Sequence, residues 1–110
     1  MEQMLLVLTN LPDLDSARSL ARVLVESRLA ACVNLMPGVQ SVYRWQGEIE
    51  QASEITLLIK TTQRHYAPLQ QTILSQHPYE LPEVIALPVS DGYAPYLRWV
   101  ATETASDDHA

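Results

Sequence analysis

Phenylalanine is absent from this chain, and cysteine and lysine each occur once. A single thiol, Cys32, rules out an intrachain disulfide. Secreted domains of this size are usually stapled by several, so the cytoplasm is the expected location. Positive charge is also scarce, with seven Lys and Arg against thirteen Asp and Glu and a net charge of −6. A nucleic-acid binder needs a basic face to meet phosphates, and docking on an anionic membrane needs the same, so neither partner is expected. The apolar run Leu5 to Leu8 has no basic segment before it and is too short for a signal peptide or a membrane span. No phosphate loop or dinucleotide fingerprint is present, and no nucleophile, base and orienting group can be read together. The chain therefore reads as a binding protein and not as an enzyme.

What the sequence does contain is apolar: 47% of its 110 residues. That suffices for a core in one domain, assigned to residues 1–104, with an acidic, disordered tail at 105–110. Met4 to Thr9 reads as a strand. Asn10-Leu11-Pro12-Asp13 is a turn, with Asp13 or Asp15 able to cap a helix. Ala17, Leu20, Ala21, Leu24 and Val25 recur at helical spacing, and that helix is expected to end near Leu29. A second strand spans Ala31 to Val42, bent at Met36-Pro37-Gly38, where proline implies a bulge or an edge position. Gln46-Gly47 is the hairpin corner, and Ile55 to Thr61 is the third strand. A helix over Gln63 to Ser75 buries Tyr66, Leu69 and Ile73, with Pro68 in its first turns. Glu83 to Val89 is the fourth strand, and Asp91-Gly92 opens a last helix with Tyr96, Trp99 and Val100 on one side. The order βαββαβ plus a C-terminal helix folds into an α+β, ferredoxin-like sandwich of four antiparallel strands under two helices.

Such a sandwich leaves one sheet face bare, and strands with a wet face alternate apolar and polar residues. These strands do not alternate. Leu5 to Leu8, Leu57 to Ile59 and Val84 to Leu87 are apolar on both parities. About six large side chains would face water in a lone subunit, each worth roughly 1.5–3 kcal/mol when buried. Together they rival the estimated ~4–15 kcal/mol cost of association, so self-association is expected, the alternative being that the C-terminal helix with Trp99 covers that face.

Two segments carry unusual chemistry. His77-Pro78-Tyr79-Glu80-Leu81-Pro82-Glu83 holds an imidazole, a phenol and carboxylates on a stretch stiffened by two prolines. It reads either as a ligand or metal site or as a rigid connector in which His77 caps the preceding helix. Tyr43 and Trp45 share one face of a strand end, as the wall of a cleft or as cross-strand packing, and Arg44 points the other way. Lys60 could hold an anion, pair with Glu83, or stay solvated. Cys32 reads as a buried, inert core thiol. His65, on an exposed helix start, and His109, in the tail, read as solvated.

Taken in order, Ala30-Ala31-Cys32-Val33-Asn34, Pro37-Gly38, Ser41-x-Tyr43-x-Trp45-x-Gly47, Glu54, Lys60-Thr61-Thr62, His77-Pro78-Tyr79-Glu80-x-Pro82-Glu83 and Tyr96-Leu97-x-Trp99 form a specific pattern. Over about Leu5 to Val100 the chain resembles the CutA divalent-cation-tolerance family. The resemblance implies a ferredoxin-like subunit in a compact homotrimer similar to the PII signalling proteins, which bind small effectors between subunits. It gathers Tyr43, Trp45, Lys60, Tyr79, Glu83 and Trp99, with His77, near an intersubunit cleft. It also implies copper binding through a cysteine near the end of the first strand and a histidine pair before Pro-Tyr. Here Thr9 stands at the cysteine position and Gln76 precedes a single His77, leaving His77 as the one metal ligand. No cofactor is expected to be required, with copper(II) or another divalent cation bound weakly. The alternative is a PII-like regulatory or scaffold trimer that senses an anionic metabolite through Lys60.

Overall fold

The computed structural model describes residues 2–105. The expected tail, with His109, lies outside that range apart from Ala105. The elements are β1 (Met4–Leu11), α1 (Leu14–Glu26), β2 (Cys32–Trp45), β3 (Glu48–Thr62), α2 (Tyr66–Gln76), β4 (Val84–Pro88) and α3 (Ala94–Thr104), with a 3-10 turn at Gln63–His65 ahead of α2. One sheet has the order β2-β3-β1-β4, and every neighbouring pair is antiparallel. This is the ferredoxin-like α+β sandwich the pattern predicts, with its extra C-terminal helix.

Local chemistry sets the ends of the elements. Asp13, in extended backbone, accepts the Ser16 N–H at 2.8 Å and is the cap of α1. The helix stops at Glu26, three residues before Leu29. The Ser27 hydroxyl donates to the Val23 carbonyl at 2.8 Å, and Arg28 turns left-handed at φ 62°. The Leu29 and Ala30 N–H groups then return to the Leu24 carbonyl, which closes the helix end. Pro68 falls in the first turn of α2, where its missing N–H costs no helical bond.

The core lies between the sheet and α1 and α2. Leu5, Val7, Leu11, Leu57 and Ile59 from the strands meet Ala17, Leu20, Leu24, Leu69 and Ile73 from the helices. On the opposite face Leu6, Leu8 and Leu58 are half-buried, and Met36, Ile85 and Leu87 stand 47%, 49% and 44% exposed. Helix α3 covers only the end of that face where β1 begins and β3 ends. It does so with Val100 and Thr104, which are fully buried, while Tyr96 and Trp99 remain 38% and 43% exposed. The aromatic pair therefore lies at the margin of the packing and not under it.

The hairpin of β2 and β3 is longer than the apolar pattern indicates. β2 runs three residues past Val42, and β3 starts at Glu48, seven residues before Ile55. Glu48, Glu50, Gln51 and Ser53 are polar, so no hydrophobic period marks them as strand. The register shifts between Met36 and Val39, where Gly38 has φ 78°, so the expected bulge is present. The corner is Gln46 (φ 50°) and Gly47 (φ 84°), two left-handed residues in the manner of a primed hairpin turn. β1 pairs with β3 only as far as Leu11 opposite Ile55. Beyond that point Val39–Trp45 and Glu48–Glu54 stand out as a two-stranded arm, and the molecule measures 49 × 28 × 21 Å. The arm exposes Val42 (67%) and Ile49 (60%).

Candidate functional site

Where the arm leaves the sheet, it faces the 79–83 segment across a cleft of about 540 Å³. One wall is the arm, with Ser41, Val42, Tyr43, Arg44 and Trp45. The other is Tyr79, Glu80, Leu81 and Glu83, and Asn10 and Glu54 form the floor. Arg44 lines the cleft together with Tyr43 and Trp45, although a flat strand would turn it away. Two-stranded ribbons twist strongly, which brings neighbours of both parities to one side.

Asn10, at the end of β1, organises the floor. Its Oδ1 accepts from Thr56 Oγ1 at 2.6 Å, and its Nδ2 donates to Glu83 Oε1 at 3.3 Å. Its main-chain carbonyl lies 2.7 Å from His77 Nε2. A carbonyl only accepts, so Nε2 carries the proton. His77 Nδ1 in turn accepts the Tyr79 N–H at 3.1 Å. His77 is thus a neutral Nε2–H imidazole held by main chain on both sides. Burial pushes its pKa below the ordinary 6.5, against smaller upward pulls from the Asn10 carbonyl and Glu54. The Tyr79 ring sits 4.8 Å from the imidazole, and its hydroxyl donates to Glu54 Oε2 at 2.8 Å. Burial first, and then the Glu54 carboxylate, raise the Tyr79 phenol far above its usual value, so it remains a donor. Glu54 is 7% exposed, and the Tyr79 bond is what makes a carboxylate tolerable there.

The site residues expected from sequence divide into two groups. Tyr43, Trp45, Tyr79 and Glu83 line the cleft, and His77 braces it from behind. Lys60 and Trp99 lie at the other end of the sheet, six residues along β3 from Glu54, or roughly 20 Å at strand spacing. Lys60 Nζ donates to Asn34 Oδ1 and lies 3.8 Å from Cys32 Sγ. It does not pair with Glu83, which bonds Asn10. Cys32 is half-buried in a polar setting, beside Lys60 and the Tyr96 hydroxyl, and is not a closed core thiol. Trp99 lies 5.6 Å from Tyr96, centroid to centroid. His65 is half-buried rather than solvated. Its Nδ1 is 2.6 Å from Thr62 Oγ1, its ring bonds the main chain of Thr104, and burial lowers its pKa. Asn10, Arg44 and Glu54 are cleft residues that the sequence reading did not assign. Glu54 stands in the family motif pattern with no role attached, and the one signal for Asn10 and Arg44 is a polar side chain just past the apolar part of a strand.

Within one chain the residues do not fit the copper site implied by the resemblance. Thr9 is fully buried and shares strand parity with Leu5, Val7 and Leu11, on the helix-facing side. A metal at His77 would displace one of its two main-chain bonds. Among the described residues no three His, Cys, Asp or Glu side chains converge into a metal cluster.

The CutA1 divalent ion tolerance protein family matches residues 5–103. The chain belongs to the CutA1 family. It is 46% identical over 98 residues to the divalent-cation tolerance protein CutA of Thermus thermophilus, covering 89% of this chain and 95% of that one. It is 50% identical over 98 residues to the human protein CutA, covering 87% of this chain but only 55% of the human one. The solved Thermus CutA1 structure superposes with a TM-score of 0.90 at 44% identity over 93% of this chain and 99% of that one. The CutA1 structure from Oryza sativa gives 0.92 at 35% identity, over 96% and 97%. None of these CutA names states a catalytic activity. The Arabidopsis relative is named chloroplastic and an Archaeoglobus one periplasmic, and among the described residues no helix is long and apolar enough to cross a membrane.

Proposed function

We propose that this CutA1-family chain is a non-catalytic, homotrimeric binding protein of the cytoplasm whose cleft, at the root of the hairpin arm, takes a small ligand. The cleft carries the reading: a concave site with aromatic walls and a few converging polar groups has the size and character of a small-molecule pocket. The trimer rests on the family resemblance and on exposed apolar surface at both ends of the subunit, Val42 and Ile49 on the arm and Tyr96 and Trp99 on α3. A threefold ring joins unlike surfaces head to tail. Such a ring sets the arm of one chain against the α3 end of the next, which reunites the two groups of site residues. A divalent cation bound there draws ligands from more than one subunit.

Light scattering on the eluted protein tests the assembly. The wild type is expected at three times the chain mass, and Ile49→Lys is expected to shift it toward the monomer while the chain stays folded. A wild-type monomer at micromolar concentration would remove the trimer and the shared cleft with it.

A further inference from the structure

We infer that Asp91-Gly92, in the loop between β4 and α3, is a site of spontaneous isoaspartyl formation in the folded protein. Of the aspartates and asparagines in the chain, only Asp91 stands before a glycine. An aspartate closes on the next main-chain nitrogen slowly where a Cβ on that residue crowds the approach, or where the nitrogen is tied into regular structure. Neither obstacle exists here. Gly92 has no Cβ, and one added there meets Leu97 Cδ2 at 3.1 Å, so the packing of Leu97 favours glycine. The Gly92 N–H donates to Asp91 Oδ1 at 3.1 Å, which sets the nitrogen beside the carboxyl it attacks. Main-chain bonds pin the loop at Val89, whose N–H donates to the Met4 carbonyl, and at Tyr93, whose carbonyl accepts from Tyr96 and Leu97. Among the described residues no main-chain bond ties Ser90, Asp91 or Gly92 between those points, and all three are exposed. A stretch of this kind opens at little cost in free energy. Asp13 and Asp15 are the contrast. The Asp13 carboxylate is occupied by the Ser16 N–H at 2.8 Å, and the same bond holds the nitrogen that follows Asp15.

The step balances with water alone. The Gly92 nitrogen gives up its proton and bonds Asp91 Cγ, and one carboxyl oxygen leaves as water. The product is a five-membered succinimide. Water then adds back. Attack at Cγ restores aspartate. Attack at the main-chain carbonyl carbon breaks its bond to the Gly92 nitrogen, so the main chain runs through Cγ and that carbon ends as a free carboxylate. No oxidant or partner is consumed, and every reacting atom of the protein belongs to this loop. A neighbouring subunit set against Tyr96 and Trp99 therefore supplies nothing to the reaction. The isoaspartyl link adds one methylene to the main chain just ahead of Tyr93, the cap of α3.

The test keeps the full chain, eluted as its native assembly, at neutral pH for weeks beside the same chain in urea. Isoaspartate is located by peptide mapping with fragmentation that separates the two linkages. The native rate at Asp91 is expected to fall within about tenfold of the rate in urea, because the loop opens so readily. Asp13 and Asp15 are expected to stay intact in the native sample. Asp91→Glu is expected to lose the signal, since its longer side chain closes a larger ring. Gly92→Ala is expected to slow the reaction about tenfold, or ~1.4 kcal/mol of added barrier. Gly92→Ala also crowds Leu97, so Asp91→Glu, at an exposed position, carries the assignment if the alanine variant does not fold. A native rate further below the urea rate means that the loop, or a subunit packed on it, keeps the pair shut, and it overturns the inference. Isoaspartate that arises first at another aspartate, that survives Asp91→Glu, or that is missing from both samples also overturns it.

Discussion

His77 Nε2 donates to the main-chain carbonyl of Asn10 at 2.7 Å, tying the segment after α2 to the end of β1. Because Nδ1 accepts from Tyr79, the ring serves as a brace between two stretches of backbone. The Pro-Tyr-Glu segment is thereby held against the sheet, with Tyr79 aimed at Glu54. His77, which the sequence allows either as a ligand or as part of a rigid connector after α2, is held in the structure as a support of the cleft wall.

The brace makes stability depend on pH. His77 and His65 both have folded pKa values below the unfolded 6.5, so the unfolded chain takes up protons first as pH falls. The stability they contribute is whole above about pH 6.5 and is lost as pH drops from there through the lower folded values. Urea midpoints between pH 7 and 5 are expected to decline. The decline is expected to flatten in the double variant His65→Gln, His77→Gln. A flat wild-type profile over that window would remove the coupling.

Tyr79→Phe deletes the donor that faces a carboxylate 7% exposed. Leaving such a group short of a partner costs about 1–3 kcal/mol. The loss is expected to shrink when Glu54→Gln is also present, because the two residues share one interaction. Denaturant titration of the two single variants and the double variant measures this. Strict additivity would mean that the bond contributes nothing.

Thr9 Oγ1 is buried with no hydrogen-bond partner among the described residues. It lies in the sheet opposite Leu57 and Val84, in apolar company. Thr9→Val keeps the shape and removes the unpaired hydroxyl, so it is expected to stabilise the fold by about 1 kcal/mol. A lower urea midpoint in the variant would mean that the hydroxyl is satisfied after all.

Asp13→Ala removes the acceptor for the Ser16 N–H at the start of α1. The cost expected for a lost cap is about 1 kcal/mol. Asp13→Asn retains an acceptor oxygen and is expected to recover most of it. Equal losses in the two variants would point to charge instead of the hydrogen bond.

Much of this protein can be read from its residues in order. The helical spacing of Ala17, Leu20 and Leu24, the turn residues near Pro12, the proline–glycine break at Pro37-Gly38 and the two-faced strands determine the element order and the ferredoxin-like topology. Each depends on neighbours a few residues apart. The motif pattern from Ala30 to Trp99 likewise placed the chain in its family. Tertiary structure alone decided the rest, because it turns on residues far apart in sequence. Asn10 meets His77 and Glu83 only once β1 and β4 lie side by side, and Glu54 becomes buried only under Tyr79. The arm continues to Trp45 and Glu48 because main-chain pairing needs no apolar period, so hydrophobic pattern could not mark it. The same separation carries Lys60 and Trp99 away from Tyr43, Trp45, Tyr79 and Glu83, since strand rise sets distance along a sheet whatever chemistry the side chains share.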